Sequence, residues 1–334
     1  MNKPKIAICL FGYVGVPFSK SMNYEENKKI LNKNNRIDKI MLELSYQHLM
    51  NDIINCNSEY DFDIFIHSWN NKIKDDLVNK FKPKKYCIEE LITEHNINTE
   101  NHGIIQNLSR LLGTVKVLDL VKDYQESEDY YQQVILLRFD LVFLCSFPLS
   151  KYIDNNIKIV DGFHKGNWGK QPDIYNDKTL EAINKKYKGT NLNLDFINRE
   201  VKEIRIIEKL FMSNFKNIYN LTRYYFHLIN LVKQHISIDW NPHIYYSSML
   251  LDIITKNNDI EIKKIKEIYY EGINEGDHIP LDSTLLLTKQ AYFRNPGLNC
   301  SFGTITGNIN CRLVDIKKLL EEYNIPEEII INCV

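Results

Sequence analysis

The chain has 334 residues, 42 basic and 43 acidic side chains, and a formal net charge of −1. Near-neutrality gives no global field to attract nucleic acid or an anionic membrane, and no run reaches the roughly 18 to 20 apolar residues that a span requires. Seven cysteines, at 9, 56, 87, 145, 300, 311 and 333, never fall in C-x-x-C spacing, which argues against a disulfide framework and a structural zinc site.

In chain order, Lys5–Leu10 reads as a buried strand ended by Phe11-Gly12-Tyr13. Its opening, MNKPKIAICLFGY, has no small-residue cleavage site, so it reads as a strand and not as a signal peptide. Ile37–Ile54 has helical spacing, Phe62–Ile66 is a second strand ending in His67-Ser68-Trp69-Asn70, and Asn71–Phe81 is a helix. A short strand near Tyr86–Ile88 and a long helix over Gly103–Tyr124 precede the strongest strand signal, Val134–Leu137. This alternation predicts an α/β fold with a parallel or mostly parallel sheet flanked by helices.

The second half is less regular. A strand at Ile157–Val160 leads into a Gly- and Lys-bearing loop, Asp161–Asp173, with Lys165 and Lys170. Then come a helix over Asp177–Lys186, a strand at Ile204–Met212, helices at Phe215–His235 and Pro242–Thr255, a strand near Lys266–Tyr270 and a helix at Val314–Tyr323. No Pro/Ser/Gly linker divides the chain, so residues 1–334 read as one domain with an elaborated C-terminal half.

Ligands of open α/β sheets sit outside the carboxyl ends of the strands. Three clusters fall there: Gly12-Tyr13, His67-Ser68-Trp69-Asn70 and Arg138-Phe139-Asp140. Residues two apart in a strand share a face, so Arg138 and Asp140 are expected to project side by side. They then form either a self-satisfied buried pair or a phosphate site, with Asp140 on a divalent ion and Arg138 forked to a diphosphate. His67 suits a structural role as well as a ligand role, Trp69 suits core as well as stacking, and Asp63 reads as a structural hydrogen-bonding acid. No G-x-G-x-x-G, P-loop, H-E-x-x-H or G-x-S-x-G motif is present. His227, His235 and His243 recur at eight-residue intervals, but Trp240-Asn241-Pro242 interrupts them, so no metal site is assigned there.

The order KIAICLFGY, YDFDIFIHSWN, Gln106 with Ser109-Arg110 on a long helix, and QQVILLRFDLVF resembles glycosyltransferase-like proteins of bacterial surface-polysaccharide clusters and large DNA viruses. Those proteins look like GT-A-type (Rossmann-like) nucleotide-sugar transferases. The similarity covers residues 4–145 and continues weakly at Glu208–Ser213 and Trp240–His243. It implies a nucleotide-sugar half over 1–150 and an acceptor-side half over 151–334. Arg138-Phe139-Asp140 matches the family's R-x-D, which would place Mn²⁺ or Mg²⁺ on Asp140 and the donor diphosphate beside Arg138. Gly12, Tyr13, His67, Ser68 and Trp69 match its nucleotide-side positions.

Gly15 departs from the usual Arg, Glu208 from Asp, and His243 from Glu. Glu208 and Asp173 are the carboxylates available as base for an acceptor hydroxyl. The resemblance implies transfer of a sugar from a nucleoside diphosphate sugar to a glycan or protein acceptor. The scattered thiols, with no signal peptide or apolar span in view, point to a cytoplasmic location, in the host cytoplasm if the source is viral, and the near-neutral charge to no nucleic-acid partner. The departures keep a non-catalytic, glycosyltransferase-shaped binding protein open, as well as another nucleotide-dependent α/β transferase.

Overall fold

The fold is that of a computed structural model, which describes residues 3–14, 35–91, 102–127, 130–139, 141–143, 146–163, 206–233, 262–268 and 286–288. The expected helices at 177–186, 242–255 and 314–323 lie outside these residues, as does most of the 161–173 loop.

Strand β1 (Lys5–Gly12) pairs in parallel with β2 (Asp61–Ser68), and β2 pairs in parallel with β3 (Lys85–Ile88). On the other side β1 pairs in parallel with β4 (Gln133–Arg138). Ile6 through Phe11 are all buried, as are Val134 through Leu137. These unbroken apolar runs are the pattern of strands covered on both faces. Strand β5 (Leu141–Phe143) leaves this sheet. Then β6 (Ile157–Phe163), β7 (Ile206–Ser213) and β8 (Ile262–Ile268) complete a seven-stranded sheet of order β3-β2-β1-β4-β7-β6-β8. β7 is antiparallel to both β4 and β6, and every other pairing is parallel. The mostly parallel α/β sheet expected from the element order is therefore present. Strands β5 and β9 (Leu286–Thr288), which pair antiparallel with each other, went unforeseen, and β8 starts earlier than the expected 266–270.

The helices are α1 (Asn35–His48), α2 (Lys74–Phe81), α3 (His102–Lys122), α4 (Phe215–Tyr219) and α5 (Arg223–Lys233). Helix α3 packs against β1, β2 and β3 and also contacts α5. Its buried set, Leu108, Leu111, Val115, Val117, Leu118 and Val121, is accordingly wider than one stripe. The single helix expected over 37–54 gives way at Leu49–Ile54 to a wider π-helical turn, where Asp52 O accepts a hydrogen bond from Phe147 N at 2.7 Å. The helix expected over 215–235 is split by a 3-10 turn at Asn220–Thr222, and Asn214 caps α4 by accepting from Asn217 N at 2.9 Å. No helix among the described residues is long and apolar enough to cross a membrane.

Candidate functional site

The chain moves outward from β1 to β2 to β3 and then returns to β4 on the opposite flank of β1. That reversal makes the carboxyl ends of β1 and β4 the switch point of the sheet, where open α/β sheets leave a crevice. Gly12 ends β1 and Arg138 ends β4. Register pairs Phe11 with both His67 and Arg138, so these three residues share a face of the sheet.

Gly12 has φ +107°, and a Cβ built there would meet nothing within 4 Å among the described residues. Its achirality serves the backbone conformation, since φ in that range strains any residue with a Cβ. Tyr13 is half-buried, and burial, aided by the Asp38 charge, pushes its phenol pKa up. Tyr13 is therefore a neutral hydroxyl at physiological pH. The turn it belongs to is pinned by Asn70, whose Nδ2 donates to Val14 O and to Asp38 Oδ2, each at 2.8 Å. Asp38, buried in the first turns of α1, is a site-edge residue that sequence reading missed. An acid four residues into an amphipathic helix looks like solvent-facing charge until its partner Asn70 is known.

Arg138 is half-buried. β4 ends at Arg138 and Phe139 occupies a turn, while Asp140, and with it the expected placement beside Arg138, lies outside the described residues. Three contacts hold Phe139. Its N–H donates to Phe11 O at 3.4 Å, its carbonyl accepts from Ser45 Oγ at 2.6 Å, and its ring packs edge-on to Phe81 with centroids 6.0 Å apart. Asp140 itself, Asp173, Gly15, Lys165 and Lys170 lie outside the described residues. Glu208 stands in β7, two strands from β1, and only its backbone is described.

His67, Ser68 and Trp69 are buried and bonded within the protein. Ser68 Oγ accepts from Asn70 N at 3.2 Å, and Trp69 Nε1 donates to Ser109 O at 3.1 Å. The His67 and Trp69 rings meet edge-on with centroids 4.4 Å apart, and both press on Gly113 of α3. A Cβ at Gly113 would come within 3.1 Å of His67 Nδ1, so glycine there lets the helix close on the sheet. Asp63 accepts from the Tyr131 hydroxyl at 3.0 Å and pairs with Lys84 at 3.4 Å, the structural role expected for it.

His67 Nε2 lies 3.1 Å from Glu89 Oε1, and the Lys116 ammonium also bonds to that oxygen. Burial opposes ionisation of Glu89, but hydrogen bonds from Lys116 and His67 outweigh it and hold its carboxyl below the ordinary value. Since an ionised carboxylate only accepts, Nε2 carries the imidazole proton, and Nδ1 is a buried acceptor with no partner among the described residues. Burial pushes His67 down to about 4, against the pull of Glu89 and with help from the Lys116 charge.

A pH dependence follows. Below about 6.5 the unfolded chain protonates this histidine while the fold resists until about 4, so stability is lost as pH falls through that window. The full loss is about 3 kcal/mol. Urea unfolding at pH 7 and pH 4.5 in chelator-treated buffer should show a steeper loss for wild type than for His67→Gln. Equal losses would show that His67 is not the titrating group.

Cys87 pairs in register with His67, and Glu89 lies two residues further along the same face. One ligand atom from each of His67, Cys87 and Glu89 lies within 4.8 Å of the others, the only such cluster among the described residues. It belongs to the β2–β3 edge and not to the switch point. Its sulfur and nitrogen donors are unlike the oxygen set that Mn²⁺ or Mg²⁺ prefers.

No protein-family model matches this chain, and no curated protein matches it. The functional reading therefore rests on the geometry and on the resemblance described above.

Proposed function

We propose that the chain is a GT-A-like glycosyltransferase that moves a sugar from a nucleoside diphosphate sugar to a glycan or protein acceptor. The observation that carries this reading is the placement of Gly12 and Arg138 at the two strand ends flanking the switch point. A backbone position without a Cβ lets the nucleotide lie against β1, while a guanidinium at the next strand end meets its diphosphate with a two-pronged set of donors.

In this reading the bond from the sugar's anomeric carbon to the diphosphate breaks, and a bond from the acceptor oxygen to that carbon forms. The acceptor's proton passes to a carboxylate, for which Glu208 and Asp173 are the candidates in an inverting reaction. Arg138 offsets the negative charge gathering on the departing diphosphate. The Asp140 carboxylate is a hard oxygen donor of the kind Mn²⁺ or Mg²⁺ takes, and the ion would supply further charge neutralisation there. His67, Ser68 and Trp69, with their polar atoms turned inward, would shape the nucleotide side and hold the edge rigid. The protein would act in the cytoplasm, in the host's if it is viral.

The test is calorimetry of the whole chain with a panel of nucleotide sugars in the presence of Mn²⁺, followed by mass spectrometry of the products. Binding of one donor, with release of its nucleoside diphosphate, is the expected result. Asp140→Ala should lower turnover about a hundredfold, the order seen when one group stabilising transition-state charge is removed. Binding without turnover would favour the scaffolding alternative. Products carrying a transferred phosphoryl or nucleotidyl group would favour the other transferase class. No donor binding in wild type would overturn the proposal.

A further inference from the structure

We propose that His67 Nε2, Cys87 Sγ and the Glu89 carboxylate form a binding site for one divalent ion of the zinc class, which displaces the Lys116 ammonium when it binds. The backbone sets up the constellation. His67 and Cys87 are register partners on adjacent parallel strands, and Glu89 is tied to the same edge by its N–H donating to Ser68 O at 3.0 Å. The three ligand atoms lie within 4.8 Å of one another, with Nε2 and Oε1 already 3.1 Å apart. Ligands 2.0 to 2.3 Å from a tetrahedral ion stand roughly 3.2 to 3.8 Å from each other, so a small rotation of Cys87 is enough to close the set.

The donor chemistry selects the ion. Thiolate and imidazole favour Zn²⁺ or Co²⁺ over Mg²⁺, Mn²⁺ or Ca²⁺, and three protein ligands leave a fourth position for water. Cys87 is a free thiol. On binding, its proton goes to solvent and the imidazole proton moves from Nε2 to Nδ1. Two features of the ion-free protein work against the metal. Lys116 already neutralises Glu89, and a proton on Nδ1 has no acceptor among the described residues. The site is therefore a competition between an ion and an internal ammonium. Because β3 is an edge strand of the sheet among the described residues, the bound ion would clamp that edge to β2.

Lys116 makes the proposal sharply testable, because its side chain is partly exposed and its removal should strengthen binding. The experiment titrates the full chain, freed of metal by chelator, with Co²⁺ and records its absorption. The expected result is a saturable thiolate-to-cobalt band in the near ultraviolet with tetrahedral bands in the visible. Zn²⁺ should abolish these bands and Mg²⁺ should leave them. Cys87→Ser should lose the near-ultraviolet band, which separates this site from the other six cysteines. Lys116→Met should tighten Co²⁺ binding by about tenfold, the scale on which neighbours of a metal site act. That variant reads in the opposite direction to a folding defect, so it decides the matter even if Cys87→Ser does not fold. Absence of the band in wild type, its survival in Cys87→Ser, or unchanged affinity in Lys116→Met would each overturn the site. None of these readouts requires a nucleotide sugar, so the site stands or falls independently of the transferase reading.

Discussion

Arg138→Ala is expected to weaken binding of the donor nucleotide sugar by about 30- to 100-fold, the loss that accompanies removal of a charge-assisted, two-pronged contact to a diphosphate. Arg138→Lys should recover little of it, because an ammonium cannot present the parallel N–H pair that spans two phosphate oxygens. Calorimetry with the donor that wild type selects measures both effects. Thermal melting of the same samples separates loss of grip from loss of fold. The side chain is half-buried at the end of β4, while the strand's own core contacts come from Val134 to Leu137. Binding that is unchanged in a normally folded Arg138→Ala protein would remove Arg138 from the donor site.

Asn57→Ala should cost about 3 to 4 kcal/mol of folding stability, because one buried side chain completes three backbone hydrogen bonds. Its Nδ2 donates to Ile53 O at 2.6 Å and Phe147 O at 2.8 Å, while its Oδ1 accepts from Leu149 N at 2.7 Å. Phe147 and Leu149 are themselves fully buried, so truncation takes the acceptor from Leu149 N and the closer donor from Phe147 O, which also accepts from Cys56 Sγ at 3.8 Å. Asn57→Asp keeps the acceptor for Leu149 N but removes both donors and buries a charge, so it should not rescue. Urea unfolding checks this result. A loss below about 1 kcal/mol would mean that water satisfies the orphaned groups.

How much could be read in advance depended on the range of the forces involved. β1, β2 and β4 were legible because strands buried on both faces leave unbroken apolar runs, and α3 because a long helix repeats its apolar face. The ends were less legible. Phe11 and Gly12 are strand because they pair with β2 and Phe11 also with β4, and Phe139 is a turn held by Ser45 and Phe81, partners that all lie far away in sequence. Asp38 and Glu89 gave no signal, because an acid reads as solvated until its partner is known. The metal-ligating set escaped for a related reason. Absence of C-x-x-C spacing speaks only to ligands close in sequence, whereas His67 and Cys87 meet through strand pairing.

By itself the sequence determined the α/β class, the alternation of strands and helices in the first half, and the gathering of polar clusters at strand ends. Those features follow from hydrophobic periodicity, which acts over a few residues. Only the tertiary structure decided the strand order that makes β1 and β4 the switch point and the inward turning of His67, Ser68 and Trp69. It also decided the meeting of His67, Cys87, Glu89 and Lys116. Each of these arises from register and packing between segments distant in the chain, and such contacts leave no periodic trace in the residues that make them.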